Sequence, residues 1–207
     1  MFLSEISYFS GFYLTNKYLE NYFNKKNARN FVAGIHAFSS VILNSGYLIT
    51  NNLLLNQVSL NFSIGYFLYD SYYIIRFDKR KFICKQKDYC YLYHHFASLY
   101  LIYNHDNFDY IHQIILLGEL SNLPSYFIYH YLHSDNITEQ IQNKISLFKG
   151  IQKVLYTLIR IPVMSYILKN LLITLDMKNS KIISICGIAL PVYFMGLFWS
   201  VKIILDK

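Results

Sequence analysis

The sequence predicts an all-α membrane protein, a bundle of six transmembrane helices, or of seven if the N-terminal segment also crosses. Three observations predict it. Charged residues make up only 15% of the 207-residue chain and hydrophobic residues 54%, where a soluble domain carries about 25% charged residues. The apolar residues gather in runs near the roughly 20 residues that cross a hydrocarbon core, at about 30–50, 58–77, 89–104, 108–132, 147–175 and 181–205. Most Lys and Arg cluster in the short segments between these runs, as membrane topology requires. The mean hydropathy is only +0.24, but the chain holds 21 Tyr, whose hydroxyl lowers the index of a residue that serves well in a membrane.

The elements follow in order. Segment 2–23 is apolar and aromatic but carries Glu5, Lys17 and Glu20. It either spans or lies in the interface as an amphipathic helix, so 1–28 is separated from a helical membrane domain over 29–207. Lys25, Lys26 and Arg29 precede the first run, and Arg76, Lys79, Arg80, Lys81, Lys85 and Lys87 link the second to the third, which is short. Lys144 and Lys149 lie between the fourth and fifth, and Lys202 and Lys207 close the chain. If six spans alternate, all these charges share one side. The opposite loops, 51–57, 105–107 and 176–180, hold Lys178, with Lys181 at the border. Such asymmetry puts the basic loops and the C-terminus in the cytosol. Pro162 and Pro191 kink the fifth and sixth spans without ending them. The longest polar connection is 133–146, and no internal repeat or soluble second domain is present.

Other classes are disfavoured. A net charge of +7 would suit nucleic acid, but its placement at span ends is accounted for by topology, so no nucleic-acid partner is expected. Cys84, Cys90 and Cys186 are odd in number and lack metal-type spacing. No basic region precedes the first apolar stretch, so a cleaved signal peptide is not expected.

Chemistry belongs to the few polar groups inside spans: His36, Asp70, His94, His95, Glu119 and Arg160. Ionisable groups are costly in a bilayer and seldom kept there without a task. Adjacent residues on a helix point about 100° apart, from roughly 3.6 residues per turn. His94 and His95 therefore cannot both face lipid. His112 and Glu119 share a helix face, with Asn122 one turn beyond, giving an interior stripe. In the plainest reading these groups form a satisfied polar core, with Arg160 paired to Asp70 in preference to Glu119. In the chemical reading one imidazole acts as nucleophile or general base towards an acyl thioester while its neighbour shuttles the proton. A metal site would need further ligands. An H-x-x-H-H box would require His at position 91, which is Tyr91, and His130 and His133 stand apart at a helix end. No metal or cofactor is expected.

These motifs, in this order, resemble the TLC domain shared by ceramide synthases, TRAM translocon proteins and smaller lipid-related membrane proteins. The resemblance runs from Arg29 to the C-terminus. It rests on Arg29-Asn-Phe-Val-Ala-Gly-Ile-His36, Gly65-Tyr66-Phe67-Leu68-Tyr69-Asp70, Tyr93-His94-His95-Phe96-Ala97-Ser98, Gly118-Glu119-Leu120-Ser121-Asn122, Arg160-Ile161 and Gly196-Leu197-Phe198-Trp199. It implies an endoplasmic reticulum protein that handles membrane lipids. In its enzymatic form an acyl group passes from acyl-CoA to a lipid amine. His94 or His95 then activates the acceptor or takes the acyl group, and Asp70 or Glu119 orients an imidazole. His36, His112, Asn122 and Arg160 are the remaining interior polar positions. The basic residues 79–87 would attract anionic headgroups or CoA phosphates, or serve topology alone. Ceramide synthases carry H-D-x-x-D where this chain has Leu117-Gly118-Glu119-Leu120-Ser121. The pattern is therefore closer to the small TLC proteins, and the alternative is a non-catalytic lipid-binding or membrane-composition-regulating protein.

Overall fold

The computed structural model describes residues 2–77, 86–104, 110–134, 137–173 and 180–205, which are helical with no strand among them. The helices are α1 (Phe2–Leu19), α2 (Lys25–Thr50), α3 (Leu53–Phe77), α4 (Gln86–Tyr103), α5 (Ile111–Leu132), α6 (Glu139–Leu155), a π-helical turn (Tyr156–Arg160), α7 (Ile161–Ile173) and α8 (Ser180–Leu205). The basic segment 79–85, the loop 105–107, Lys178, Lys207, Asn136 and Cys84 lie outside the described residues.

Local chemistry sets the helix ends. The Asn24 side chain accepts from the Asn27 amide and opens α2, satisfying one of the donors that a helix start leaves free. Asn51 closes α2 in the left-handed region at φ 52°, which Asn tolerates better than other side-chain-bearing residues. Asn52 then caps the next helix, its Oδ1 accepting from Leu54 at 2.8 Å. Thus α2 and α3 form a hairpin with a two-residue link. The stretch expected as a polar loop over 133–146 is helical from Glu139, because Thr138 caps α6 by accepting from the Ile141 amide. Spans expected over 147–175 belong to one long rod made of α6, the π turn and α7.

On α2 the packing is inverted relative to a helix of a soluble protein, although the core it meets includes Phe12, Leu60, Ile64 and Phe67. On α2 the buried residues are Ala28, Val32, Ala33, His36, Ala37, Ser40 and Asn44. Phe31, Ile35, Phe38, Ile42 and Ile49 are exposed on the same helix. Small and polar side chains thus face inward and large apolar ones outward, the arrangement expected where lipid, not water, surrounds the bundle. The small stripe lets α2 lie close along α5, where a Cβ on Gly34 would sit 3.6 Å from the Cβ of Tyr126. The accessible surface is 12508 Å², against about 10,000 Å² for a soluble protein of this mass.

Three described helical stretches are long and apolar enough to cross a membrane: Lys25–Thr50, Glu139–Asn170 and Ile183–Leu205. α3 and α5 have comparable lengths, but inward-facing polar residues lower their hydropathy: Ser59, Ser63 and Asp70 in α3, and His112 and Ser121 in α5. α4 has 18 residues and begins in a polar turn.

α1 is integrated into the bundle. Its polar residues are spread around the helix rather than gathered on one face, unlike an interfacial amphipathic helix, and it packs along α3. The crossing is at Gly65, where a Cβ would lie 2.5 Å from the Tyr8 Cβ and 3.0 Å from the Phe9 backbone nitrogen. Backbone cannot yield as a side-chain tip can. Gly65→Ala is therefore expected to destabilise the bundle by roughly 1–3 kcal/mol, read as a lower unfolding temperature in detergent. Gly118→Ala, with open space around its Cβ position, should not. Equal stability of the two variants would contradict this crossing.

Candidate functional site

The interior polar side chains fall into separate groups. The first joins α2, α3 and α4. Asp70 Oδ1 accepts from Arg29 Nε at 2.6 Å and Oδ2 from Arg29 Nη2 at 2.9 Å. Asp70 Oδ2 also lies 3.5 Å from His95 Nε2, and His95 Nδ1 is 3.3 Å from Ser71 Oγ. Both ring nitrogens of His95 are thereby held. The expected pairing of Asp70 with Arg160 is not formed, because Arg29 occupies both oxygens of Asp70. Arg29 stands near the start of α2 and Asp70 near the end of α3, so the hairpin brings them level.

The second group joins α2, α3 and α5. His36 is fully buried, stacks on Tyr66 with centroids 3.9 Å apart, and contacts Ser40 Oγ through Nε2 at 3.1 Å. Its Nδ1 lies 3.7 Å from Glu119 Oε1. Both His36 Nδ1 and Glu119 Oε2 are buried without a hydrogen-bond partner among the described residues. His112 belongs elsewhere. Its Nδ1 is 2.7 Å from Asn44 Oδ1 and its Nε2 3.0 Å from Asn56 Oδ1, so it ties α5 to the α2–α3 hairpin.

The third group is built by the π turn. Pro162 has no amide hydrogen to donate, and its ring crowds the preceding turn. The helix widens just before it, with the Ile161 amide donating to the Tyr156 carbonyl. Such bulges recur at functional sites. Here the turn sets the Arg160 guanidinium 4.7 Å from its own Tyr156 ring. Arg160 Nη1 donates to Tyr156 OH at 2.8 Å, Asn122 Oδ1 at 2.9 Å and Ser121 Oγ at 3.3 Å. Tyr156 in turn donates to Asn122 at 2.8 Å. No described carboxylate is within ion-pair distance of the guanidinium.

A cavity of about 150 Å³ lies among α4, α5, α7 and α8. His94, Glu119, Asn122 and Arg160 line it together. One or two turns further along the same helices, its wall becomes Leu101, Ile102, Ile111, Ile115, Ile167 and Leu168. The cavity is therefore more polar at one end and mostly apolar beyond, with Ser98 and Tyr193 also in its wall. His94 borders it while His95 turns to Asp70, the divergence that adjacent helical positions impose. Of the expected catalytic residues, His94 and Glu119 meet at the cavity; Asp70 and His95 form a separate pair. No three His, Cys, Asp or Glu side chains among the described residues come together as a metal site would require.

Arg29, Tyr156 and Gly196 escape sequence reasoning as interior residues. Arg29 reads as one more basic residue at a span end, and its partner is 41 positions away. Tyr156 carries a usable signal, four residues before Arg160 on one helix. Gly196 places no side chain beside the guanidinium, a relation visible only in three dimensions.

Comparisons with protein-family models, with curated proteins and with solved structures return no match for this chain.

Breaking a buried ion pair by removing one partner costs about 3–5 kcal/mol. Arg29→Leu and Asp70→Asn are each expected to destabilise by several kcal/mol on that scale. The double variant should lose less than the sum, by at least ~1 kcal/mol. Arg160→Leu with Asp70→Asn should be additive. Unfolding of the four-member cycles in detergent checks both, and strict additivity for Arg29 and Asp70 would dissolve the pair.

Proposed function

We propose that this chain is a multi-pass membrane protein of the TLC type that handles lipid, seating a lipid head at His94, Glu119, Asn122 and Arg160. The observation that carries the reading is a cavity with His94, Glu119, Asn122 and Arg160 together and a mostly apolar wall otherwise, in which Ser98 and Tyr193 are polar exceptions. An amphiphile has that same division. The inverted packing of α2 supports a lipid surround. In this reading α2, α3, α4, α5, the α6–α7 rod and α8 all cross, α1 is a seventh span, and the basic segments and C-terminus face the cytosol of an endoplasmic reticulum membrane. Membrane lipids are the partners.

A second reading, acyl transfer from acyl-CoA to a lipid amine, is favoured by one specific feature: His94 borders the cavity opposite a carboxylate-bearing helix. There His94 would take the acceptor's proton as the amine nitrogen bonds to the thioester carbonyl carbon, and would return it to the CoA sulfur as the C–S bond breaks, so that CoA leaves as the thiol, with Glu119 steering the acceptor; a positioned base commonly contributes 10²-fold or more. Asp70 and His95 would position the helices rather than react.

Mass spectrometry of lipids co-purifying with the protein tests the first reading. Wild type is expected to carry a defined lipid species, and His94→Ala to carry less of it while retaining its fold. A wild-type protein that carries only the bulk lipid mixture would sink it. If His94→Ala folds and leaves the cellular lipid profile unchanged, the enzymatic reading goes and the lipid-binding one stays.

The orientation has its own test. Asn136-Ile137-Thr138 forms a glycosylation acceptor pattern. With the α5–α6 connection in the cytosol, Asn136 should remain unmodified when the chain is made with eukaryotic microsomes. A mass shift removed by glycosidase would reverse the orientation.

A further inference from the structure

We infer that Arg160 is the anchor for the carboxylate of a single-chain fatty acid, held at the polar end of the cavity with its first methylenes against the aliphatic wall. This rests on the lipid-handling reading and names the ligand's chemistry. Three features carry it.

The first is charge. Arg160 is a mid-helix cation lining a largely aliphatic cavity, and its hydrogen bonds among the described residues are to neutral oxygens of Tyr156, Asn122 and Ser121. The Glu119 carboxylate approaches His36 instead, at 3.7 Å. An arginine kept in such a place calls for an anion.

The second is geometry. All three bonds use Nη1. The Nε and Nη2 edge faces Gly196 on α8, where a Cβ would stand 3.7 Å from Nη2 and 4.0 Å from Nε. Those two nitrogens make the two-donor fork that binds a carboxylate through both oxygens, and glycine at 196 keeps side-chain atoms away from them on the α8 side.

The third is size and sign. A cavity of about 150 Å³ is of the order that accepts a benzene-sized ligand. It takes a small head and a few methylenes, not a phosphodiester with its substituent. A dianionic phosphate would bring one more negative charge alongside Glu119 than a carboxylate does. The remaining chain would leave beside α8, which buries only 6% of its apolar window against the bundle.

The test uses the full-length protein in nanodiscs with tritiated palmitate as probe and unlabelled palmitate, hexadecanol and hexadecyl phosphate as competitors. Palmitate is expected to bind saturably, with hexadecanol weaker by at least about tenfold, the scale of a charge-assisted hydrogen bond. Arg160→Gln should lose at least about tenfold, and Arg160→Lys should keep part of the affinity as a point charge without the fork. Gly196→Leu should lose binding by filling the space beside Nε and Nη2, and Gly196→Ala should lose part of it, because its Cβ would stand 3.7 Å from Nη2 and 4.0 Å from Nε, about as far from them as the carbon of a bound carboxylate. If Arg160→Gln does not fold, the Gly196 pair decides. Hexadecanol competing as well as palmitate would overturn the carboxylate anchor but leave a lipid-binding cavity. Stronger competition by hexadecyl phosphate, or undiminished binding by Arg160→Gln or Gly196→Leu, would also overturn it. If no amphiphile binds wild type, the anchor and the lipid-handling reading fall together.

Discussion

The Asp70 carboxylate sets the geometry of half the bundle. It accepts two hydrogen bonds from Arg29 and lies against His95, so one side chain on α3 fixes the positions of α2 and α4. Removing a carboxylate from water is costly unless its oxygens are matched, and the match here demands three helices in one register. His95, its other ring nitrogen on Ser71, is used up by that arrangement. Its neighbour His94 is thereby directed the other way, towards the cavity.

Close helix contact does the rest. Gly65 lets the α1 backbone lie on α3, and the Ala and Ser stripe of α2 lets α5 approach. On the proposed reading of a lipid surround, apolar burial would give little preference between helices, since the tails are as apolar as the side chains. Small residues and matched polar groups therefore decide which helices touch. The aromatic cluster of Phe12, Phe62, Tyr66 and Phe67 around His36 encloses that imidazole and sets it beside Glu119 without admitting it to the cavity.

The cavity arises where regular helix geometry breaks. Pro162 follows the π turn, Arg160 and Tyr156 meet across it at the i,i+4 spacing, and Asn122 and Ser121 of α5 complete the shell around Nη1. The guanidinium keeps an edge towards α8, where Gly196 leaves room. α5 has its own break at Pro124, which also sits inside the helix and removes a backbone bond one turn after Ser121. A helix carrying an internal proline thus lies beside one that widens into a π turn.

Several of these features are legible in the sequence. The all-helical class and three apolar stretches of crossing length follow from composition and run length, since about 20 mostly apolar residues in a row favour a long helix. The interior placement of His112, Glu119 and Asn122 follows from their spacing, and the divergence of His94 and His95 from the helical angle. The helical start at Glu139 was also available, in the capping Thr138, but was hidden by the polarity of the segment. Pairing was not available. Asp70 has two candidate arginines, and opposite charge alone favours neither Arg29 nor Arg160; the α2–α3 hairpin chooses by bringing Arg29 level with it. The Arg160 shell depends on a π turn whose existence Pro162 suggests but whose direction only packing sets. Sequence determines which groups must be satisfied inside a helical bundle, since that is a property of each side chain. Which partners satisfy them depends on depth and rotation of whole helices, which only the tertiary structure decides.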